Sequence, residues 1–204
     1  MNHPLVQHHL GRLRDVATGA EEFRSLVRRI ATLLAGPVTA DLETQAATAR
    51  TPLMIAQTRE ISQRIALVPI LRAGLGMVDP LLELIPMAEV WHLGVFRNET
   101  TAEPVEYYQK LPATNPVDVA IVLDPMLATG GSAILSLNIL RRWGVPKTKL
   151  VSLLAAPEGI AAVRAEFPET DIFVAAIDER LNDRKFIVPG LGDAGDRQFR
   201  TEKS

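Results

Sequence analysis

Val119-Ala-Ile-Val-Leu-Asp124-Pro-Met-Leu-Ala-Thr129-Gly130-Gly131-Ser132 is the stretch on which the fold turns. Its first five residues are wholly apolar and rich in β-branched types, too short for a helix and suited to a strand buried on both faces. An acid closes that run, a turn of small residues follows, and an amphipathic helical pattern then extends from Ser132 to Trp143. Strand, turn and helix in this order form the first half of a βαβ unit, whose second strand must lie parallel to the first.

The rest of the chain repeats the rhythm. Apolar runs occur at Ile65–Ile70, Val90–Phe96, Leu150–Ala155 and Ile172–Ile177, and helical patterns at Met77–Ile85 and Gly159–Phe167 lie between them. This alternation predicts an α/β fold, with a mainly parallel sheet and helices on both faces. Upstream, Phe23, Leu26, Val27, Ile30, Leu33 and Leu34 recur at helical spacing. Thr18 and Glu21 offer a capping box for this helix, and Gly36-Pro37 is expected to stop it. A second helical stretch is expected over Leu53–Arg64. The 22-residue segment Arg97–Asp118 breaks the rhythm and predicts a lid or a protruding hairpin. No repeat or linker divides the chain, so one domain is expected over residues 1–204: N-terminal helices over 1–64, a core sheet over 65–178 and a C-terminal segment over 179–204.

Composition narrows the functional classes. With 22 basic and 24 acidic residues the net charge is −2, which argues against a broad nucleic-acid-binding surface. The absence of cysteine removes disulfides, thiolate nucleophiles and Cys-ligated metals from consideration. Met1-Asn2-His3-Pro4 lacks the plan of a signal peptide, and no apolar run is long enough to span a membrane. The expectation is a cytoplasmic protein with small-molecule partners, no nucleic acid and no membrane.

In a parallel sheet, ligands bind beyond the carboxyl ends of the strands. Thr129, Gly130, Gly131 and Ser132 lack bulk that would block a close ligand, and their amides open a helix where a phosphate can be held. Asp124 is poorly matched to phosphate but can accept hydrogen bonds from the hydroxyls of an adjacent sugar. The plainer alternative is a βα turn capped by Thr129 or Ser132. At the exit of the first strand, Arg72 stands beside Gly74 and Gly76, a guanidinium near exposed amides that suits an oxygen-rich anion. Gly190-Leu-Gly192-Asp-Ala-Gly195 satisfies G-x-G-x-x-G, yet only nine residues follow it, too few for a dinucleotide-binding unit. His3, His8, His9 and His92 show no metal-ligand spacing and are read as surface or structural.

The stretch Asp124-Pro-Met-Leu-Ala-Thr-Gly-Gly-Ser132 resembles the phosphoribosyl pyrophosphate (PRPP) motif of the type I phosphoribosyltransferases, in the form found in the uracil phosphoribosyltransferase family. Many type I enzymes carry two adjacent acids here, whereas this chain has Asp124 followed by Pro125. Val68-Pro-Ile-Leu-Arg72-Ala-Gly-Leu-Gly76-Met, Pro104-Val-Glu-Tyr-Tyr108-Gln-Lys-Leu-Pro112, Ile187-Val-Pro-Gly-Leu-Gly-Asp193-Ala-Gly-Asp-Arg197 and His3-Pro-Leu-Val-Gln-His8 agree with that family, in order and nearly end to end. The resemblance implies a phosphoribosyltransferase-like fold that forms UMP and diphosphate from uracil and PRPP, with Mg²⁺ held mainly through substrate rather than by protein ligands. It implies catalytic roles for Arg72, Arg97 and Asp124. PRPP contacts are implied at those three residues and at Pro125, Met126, Leu127, Ala128, Thr129, Gly130, Gly131, Ser132 and Asp193. Uracil contacts are implied at Ile187, Gly192, Asp193 and Ala194, making 179–204 the base-binding segment. It further implies a non-proline cis peptide near Arg72-Ala73, loop residues Tyr107, Tyr108 and Lys110 able to close over substrate, a homo-oligomer (dimer or higher), and a nucleotide effector such as GTP.

The chain departs from the family pattern in two places, Lys185-Phe186 where Gly-Tyr is expected and Phe199-Arg200-Thr201 where Phe-Gly-Thr is expected. Two other readings stay open at this point: an enzyme of the same family acting on a different base, and a regulatory protein on the same scaffold whose nucleotide occupancy controls RNA binding.

Overall fold

The computed structural model describes residues 2–97, 104–109, 111–112 and 114–201. Helix α1 (Pro4–Arg14) begins where Pro4 sits in the first turn and His3 Nδ1 accepts from the Leu5 N–H at 3.2 Å. That gives His3 the structural role expected of it. Helix α2 (Ala20–Thr39) differs from expectation at both ends. Its N-cap is Gly19 with no side-chain cap, so the Thr18–Glu21 box does not form; the Thr18 hydroxyl instead donates to the Arg12 carbonyl at 2.6 Å. Nor do Gly36 and Pro37 stop it, since the helix continues to Thr39 with Val38 fully buried. Core packing of that last turn outweighs the intrinsic preference of Gly-Pro.

The stretch expected to be a second helix is a β-hairpin, β1 (Thr44–Arg50) paired antiparallel with β2 (Ile55–Ile61). Only its base reaches the body, where Ile61 packs against the core; Leu53, Met54 and Ile55 at the tip are all strongly exposed. Helical spacing alone misled here because only Ile61 of the stretch meets the core, so no continuous face exists for the spacing to serve.

From Ile65 onward the structure follows the expected alternation. Strand β3 (Ile65–Leu71) leads through a 3₁₀ turn at Ala73–Met77 into α3 (Val78–Leu84), then β4 (Glu89–Val90) and β5 (Leu93–Arg97). The run Val90–Phe96 is thus two strands separated at Trp91-His92. Strand β6 (Pro104–Gln109) turns back antiparallel on β5, so the long break holds a hairpin as expected. Next come β7 (Val119–Leu123), β8 (Met126–Leu127), α4 (Gly131–Trp143), β9 (Lys147–Ala155), α5 (Pro157–Glu166), β10 (Asp171–Ile177), the small hairpin β11 (Arg180–Leu181) with β12 (Ile187–Val188), and α6 (Ala194–Phe199).

The main sheet has the order β10-β9-β7-β3-β5-β6, parallel except at β6, with β4 beside β3 and β8 beside β9. Alternate residues of each strand serve two cores. Ile65, Leu67, Ile121, Leu123, Val151 and Leu153 join the core with α1, α2, α3 and α6, whereas Ala66, Val68, Ala120, Val122 and Leu150 join the core with α4 and α5. Because β3 is flanked by β5 on one side and by β7 on the other, the chain reverses its direction of travel across the sheet between β3 and β7. A crevice opens at such a switch point.

Candidate active site

The crevice is real and sits where the topology requires. A cleft of about 530 Å³ is lined by the end of β3 and the following residues (Ile70, Leu71, Arg72, Ala73), by Asp124 and Met126 after β7, by Ser132 in the first turn of α4, by Asp193 and Gly195 from the C-terminal segment, and by Val95 and Tyr107 of the β5–β6 hairpin. Five of the residues expected at the site (Arg72, Asp124, Met126, Ser132 and Asp193) are therefore brought together from segments far apart in sequence.

Asp124 is the electrostatic centre. Burial pushes its carboxyl up to about 6, opposed only by a hydrogen bond from the Met126 N–H at 3.3 Å. Among the described residues no cation is paired with it, so a ligand hydroxyl would supply stabilisation that they leave unmade. Beyond it, residues 125–128 do not form an open turn. Pro125 accepts through its carbonyl from the Leu153 and Leu154 N–H groups at 3.0 Å, Leu127 from Ala156 at 2.9 Å, and the Leu127 side chain lies in the core. Pro125 and Leu127 thus face inward, and of this stretch it is Met126 that lines the cleft.

Helix α4 starts at Gly130, whose φ of 86° is a left-handed conformation, with no side-chain cap. Its first amides are accordingly left for an anion, apart from a 3.5 Å approach of Gly131 N–H to the Thr129 hydroxyl. Neither Thr129 nor Ser132 is the N-cap, which removes the plainer reading of the turn. A Cβ at Gly130 would meet the Gly159 carbonyl at 3.0 Å on α5 rather than project into the cleft. The requirement for glycine there comes from backbone conformation and helix packing, not from space for the ligand.

Arg72 follows a non-proline cis peptide at Leu71-Arg72, one bond earlier than Arg72-Ala73. Its guanidinium, about half exposed, donates to Asp196 Oδ1 at 3.2 Å and to the Thr201 hydroxyl at 3.1 Å, and Thr201 in turn donates to Asp196 at 2.7 Å. Arg97 ends β5 opposite Pro104; its side chain, and the whole of Lys110, lie outside the described residues. Tyr107 reaches the cleft and Tyr108 is exposed beside it. Gly94 makes room for both, since a Cβ there would stand 2.7 Å from each ring side chain.

The C-terminal segment is held by contacts that sequence reasoning missed. Ile187, Leu191 and Ala194 bury their side chains in the core, and of this segment it is Asp193 and Gly195, not Ile187, Gly192 or Ala194, that line the cleft. Asp193 caps α6 by accepting from the Asp196 N–H at 2.9 Å. Arg14, at the end of α1, grips Asp178 with two hydrogen bonds of 2.7 and 2.5 Å. Asp178 also accepts from the Gly190 N–H at 2.8 Å, and Arg14 donates to the Gly190 carbonyl at 2.8 Å. Burial would raise the Asp178 carboxyl, but these bonds and the Arg14 charge outweigh it and hold it below the ordinary value. Arg197 lies over the Phe23 ring at 4.5 Å and donates to the carbonyls of Leu13, Asp15 and Leu191. Gln198 ties α6 to the Ala73 carbonyl at 3.0 Å. One signal for this shell was available in the sequence: Asp178, like Asp124, is an acid at a strand exit.

Both departures from the family pattern fall at left-handed positions, Lys185 at φ 63° and Arg200 at φ 56°. Glycine is favoured there because it has no Cβ to collide with the following carbonyl. Lys185 closes the β11–β12 turn by donating its N–H to the Asn182 carbonyl at 2.8 Å, and Arg200 ends α6.

Among the described residues no three His, Cys, Asp or Glu side chains converge to hold a metal ion, and no helix is long and apolar enough to cross a membrane.

Comparison with known proteins agrees with the geometry. Residues 1–201 match the family model described as uracil phosphoribosyltransferase. Curated relatives of that name include one from Roseiflexus sp. (strain RS-1), 53% identical over 199 residues covering 98% of this chain and 96% of the relative, and one from Lysinibacillus sphaericus, 50% identical over 202 residues covering 98% and 97%. A solved structure of a protein from Aquifex aeolicus superimposes with a TM-score of 0.94 at 36% identity, covering 100% of this chain and 98% of that one. A hypoxanthine phosphoribosyltransferase from Staphylococcus aureus, 17% identical, shares the fold with a TM-score of 0.52, covering 89% of this chain and 84% of that one. The chain belongs to the uracil phosphoribosyltransferase family.

Proposed function

We propose that the protein transfers the 5-phosphoribosyl group of PRPP to N1 of uracil, forming UMP and diphosphate in pyrimidine salvage. The observation that carries this reading is the convergence on one cleft of a partly buried carboxylate with no cation partner among the described residues (Asp124), a helix N-terminus without a side-chain cap (α4) and a guanidinium (Arg72). Those groups suit a ribose, its 5′-phosphate and a pyrophosphate respectively.

In the proposed reaction the C1–O bond to pyrophosphate breaks as uracil N1 bonds to C1, and the N1 proton passes to the departing pyrophosphate or its water. Positive charge develops on the ribose ring during this step. Asp124, ionised once ribose hydroxyls donate to it, stabilises that charge through the sugar, while Arg72 and Arg97 act on the leaving anion. Before substrate arrives, Arg72 is engaged by Asp196 and Thr201, so these partners hold its fork near the cleft until the pyrophosphate takes it over. The amides of Thr129–Ser132 bind the 5′-phosphate, which needs no proton transfer. Tyr107 on the hairpin helps exclude water.

The donor set fits a substrate-borne Mg²⁺, since among the described residues Asp124 and Asp193 are the cleft carboxylates and that ion prefers few protein ligands and several waters. When bound with PRPP it would offset the charge of the leaving pyrophosphate.

Base recognition rests on main-chain groups of 187–194, because the side chains of Ile187, Leu191 and Ala194 are buried. Uracil offers two carbonyl acceptors flanking an N–H donor, which backbone amides and carbonyls can match. We also propose cytosolic residence and a homo-oligomer: a two-stranded hairpin is marginal alone, and the β1–β2 tip exposes Leu53, Met54 and Ile55. Sedimentation with and without GTP tests assembly and a nucleotide effector together. The activity itself is tested by supplying purified protein with PRPP, Mg²⁺ and a panel of bases; UMP formation from uracil is expected, and preference for another base would overturn the assignment.

A further inference from the structure

We propose that Arg14 and Asp178 are positioning residues for the base, setting the peptide planes of the C-terminal segment on which recognition of uracil depends. The inference rests on the reading of 187–194 as the base site.

Both main-chain groups of Gly190 are taken by this pair. Its N–H donates to Asp178 Oδ2 at 2.8 Å and its carbonyl accepts from Arg14 Nη1 at 2.8 Å. These two groups belong to successive peptide planes, 189–190 and 190–191, so the pair fixes the orientation of both. The next plane is fixed as well, because the Leu191 carbonyl accepts from Arg197 at 2.9 Å. Gly190 is the one residue type that fits: its φ is 63°, and a Cβ would collide with the Ile187 carbonyl.

The geometry has the marks of a positioning device rather than a generic ion pair. Asp178 is almost fully buried, at 4% side-chain exposure, and Arg14 is at 25%. A buried bidentate pair between α1 and the exit of β10 is a weak source of net stability, since desolvation offsets most of the attraction. What it supplies is direction, since the planar fork and the carboxylate admit one arrangement of the loop between them. A main-chain reader of uracil needs this, because a peptide that flips exchanges a donor for an acceptor and so presents the pattern of the wrong base.

The experiment compares wild type with Arg14→Lys, Arg14→Met and Asp178→Asn in steady-state kinetics, with uracil and PRPP varied separately and cytosine as the competing base. Melting temperatures are recorded in parallel. The expected result is a rise in the KM for uracil of about 10-fold or more, a KM for PRPP within about 2-fold of wild type, and a fall in uracil-over-cytosine discrimination of about 10-fold. Arg14→Lys, which keeps the charge and one donor, should fall between wild type and Arg14→Met, and it serves as the folded reference if the larger changes prevent folding. Lowered melting temperatures with uracil KM and discrimination unchanged would overturn the proposal, leaving the pair merely structural. Failure of the wild type to use uracil at all would instead overturn the base-site reading, and this proposal with it.

Discussion

Replacing Asp124 by Asn should make the free protein more stable while making it a poorer enzyme. Burial raises the carboxyl from 3.8 to about 6, so the folded state holds its proton more tightly than the unfolded chain does. The sign follows directly: above pH 6 the folded protein bears the full cost of a buried unpaired carboxylate, and below about pH 4 that cost vanishes because both states are protonated. The rise corresponds to roughly 3 kcal/mol at neutral pH as an upper bound. The carboxyl faces a cleft and keeps some water, and an amide must still find its own partners, so about 1–3 kcal/mol is the expected gain. For a chain of this length that is on the order of 3–10 °C in melting temperature. Melting should be followed between pH 5 and 8 without ligand, where the gain at pH 5 should be about half that at pH 7. Added PRPP should then reverse the ranking, because the substitution removes charge-assisted bonds worth on the order of 1–3 kcal/mol in binding or turnover. A variant no more stable than wild type at pH 8, or a gain that does not shrink toward pH 5, would refute the account of Asp124.

Other expectations follow from the same geometry. Arg72→Lys keeps the charge but loses the fork that meets Asp196 and Thr201; turnover should fall by more than uracil affinity in Arg72 and Arg97 variants, and an effect confined to the uracil KM would remove them from the leaving group. Lys185→Gly and Arg200→Gly relieve left-handed strain at non-glycine residues, so each should raise stability by up to about 1 kcal/mol in denaturant titration, and a loss of stability would show that the native side chains make compensating contacts. Asp41, held at about 2 chiefly by hydrogen bonds from Lys147 and Lys149, contributes stability present above pH 4 and lost as the pH falls toward 2. Asp41→Asn should cost on the order of 1–3 kcal/mol near neutrality because Lys149 is fully buried, and should flatten the acid limb of the melting profile.

Much of the site was legible in the sequence because its chemistry is local. An apolar run, a closing acid and a small-residue turn into a helix specify a strand exit and a helix start within 14 residues, whereas the absence of a side-chain cap there is seen only in the structure. The two-faced burial of β3, β7 and β9 followed equally from short apolar runs that no exposed strand would carry. Local signals failed wherever the deciding partner was remote. The stretch around Leu53–Arg64 had helical spacing but only Ile61 meets the core, and it forms part of a hairpin. Gly36 and Pro37 should end a helix, yet burial of Val38 carries α2 past them. The inward turn of Pro125 and Leu127 depends on the N–H groups of Leu153, Leu154 and Ala156, almost 30 residues away. The grip of Arg14 on Asp178 and Gly190 joins positions 164 and 176 residues apart. Sequence periodicity reports which face of an element is apolar, but not which distant backbone group will claim a buried donor or acceptor. That choice is made only when the sheet, α1 and the C-terminal segment close on one another, because the donors and acceptors that claim Gly190 come from Arg14 and Asp178.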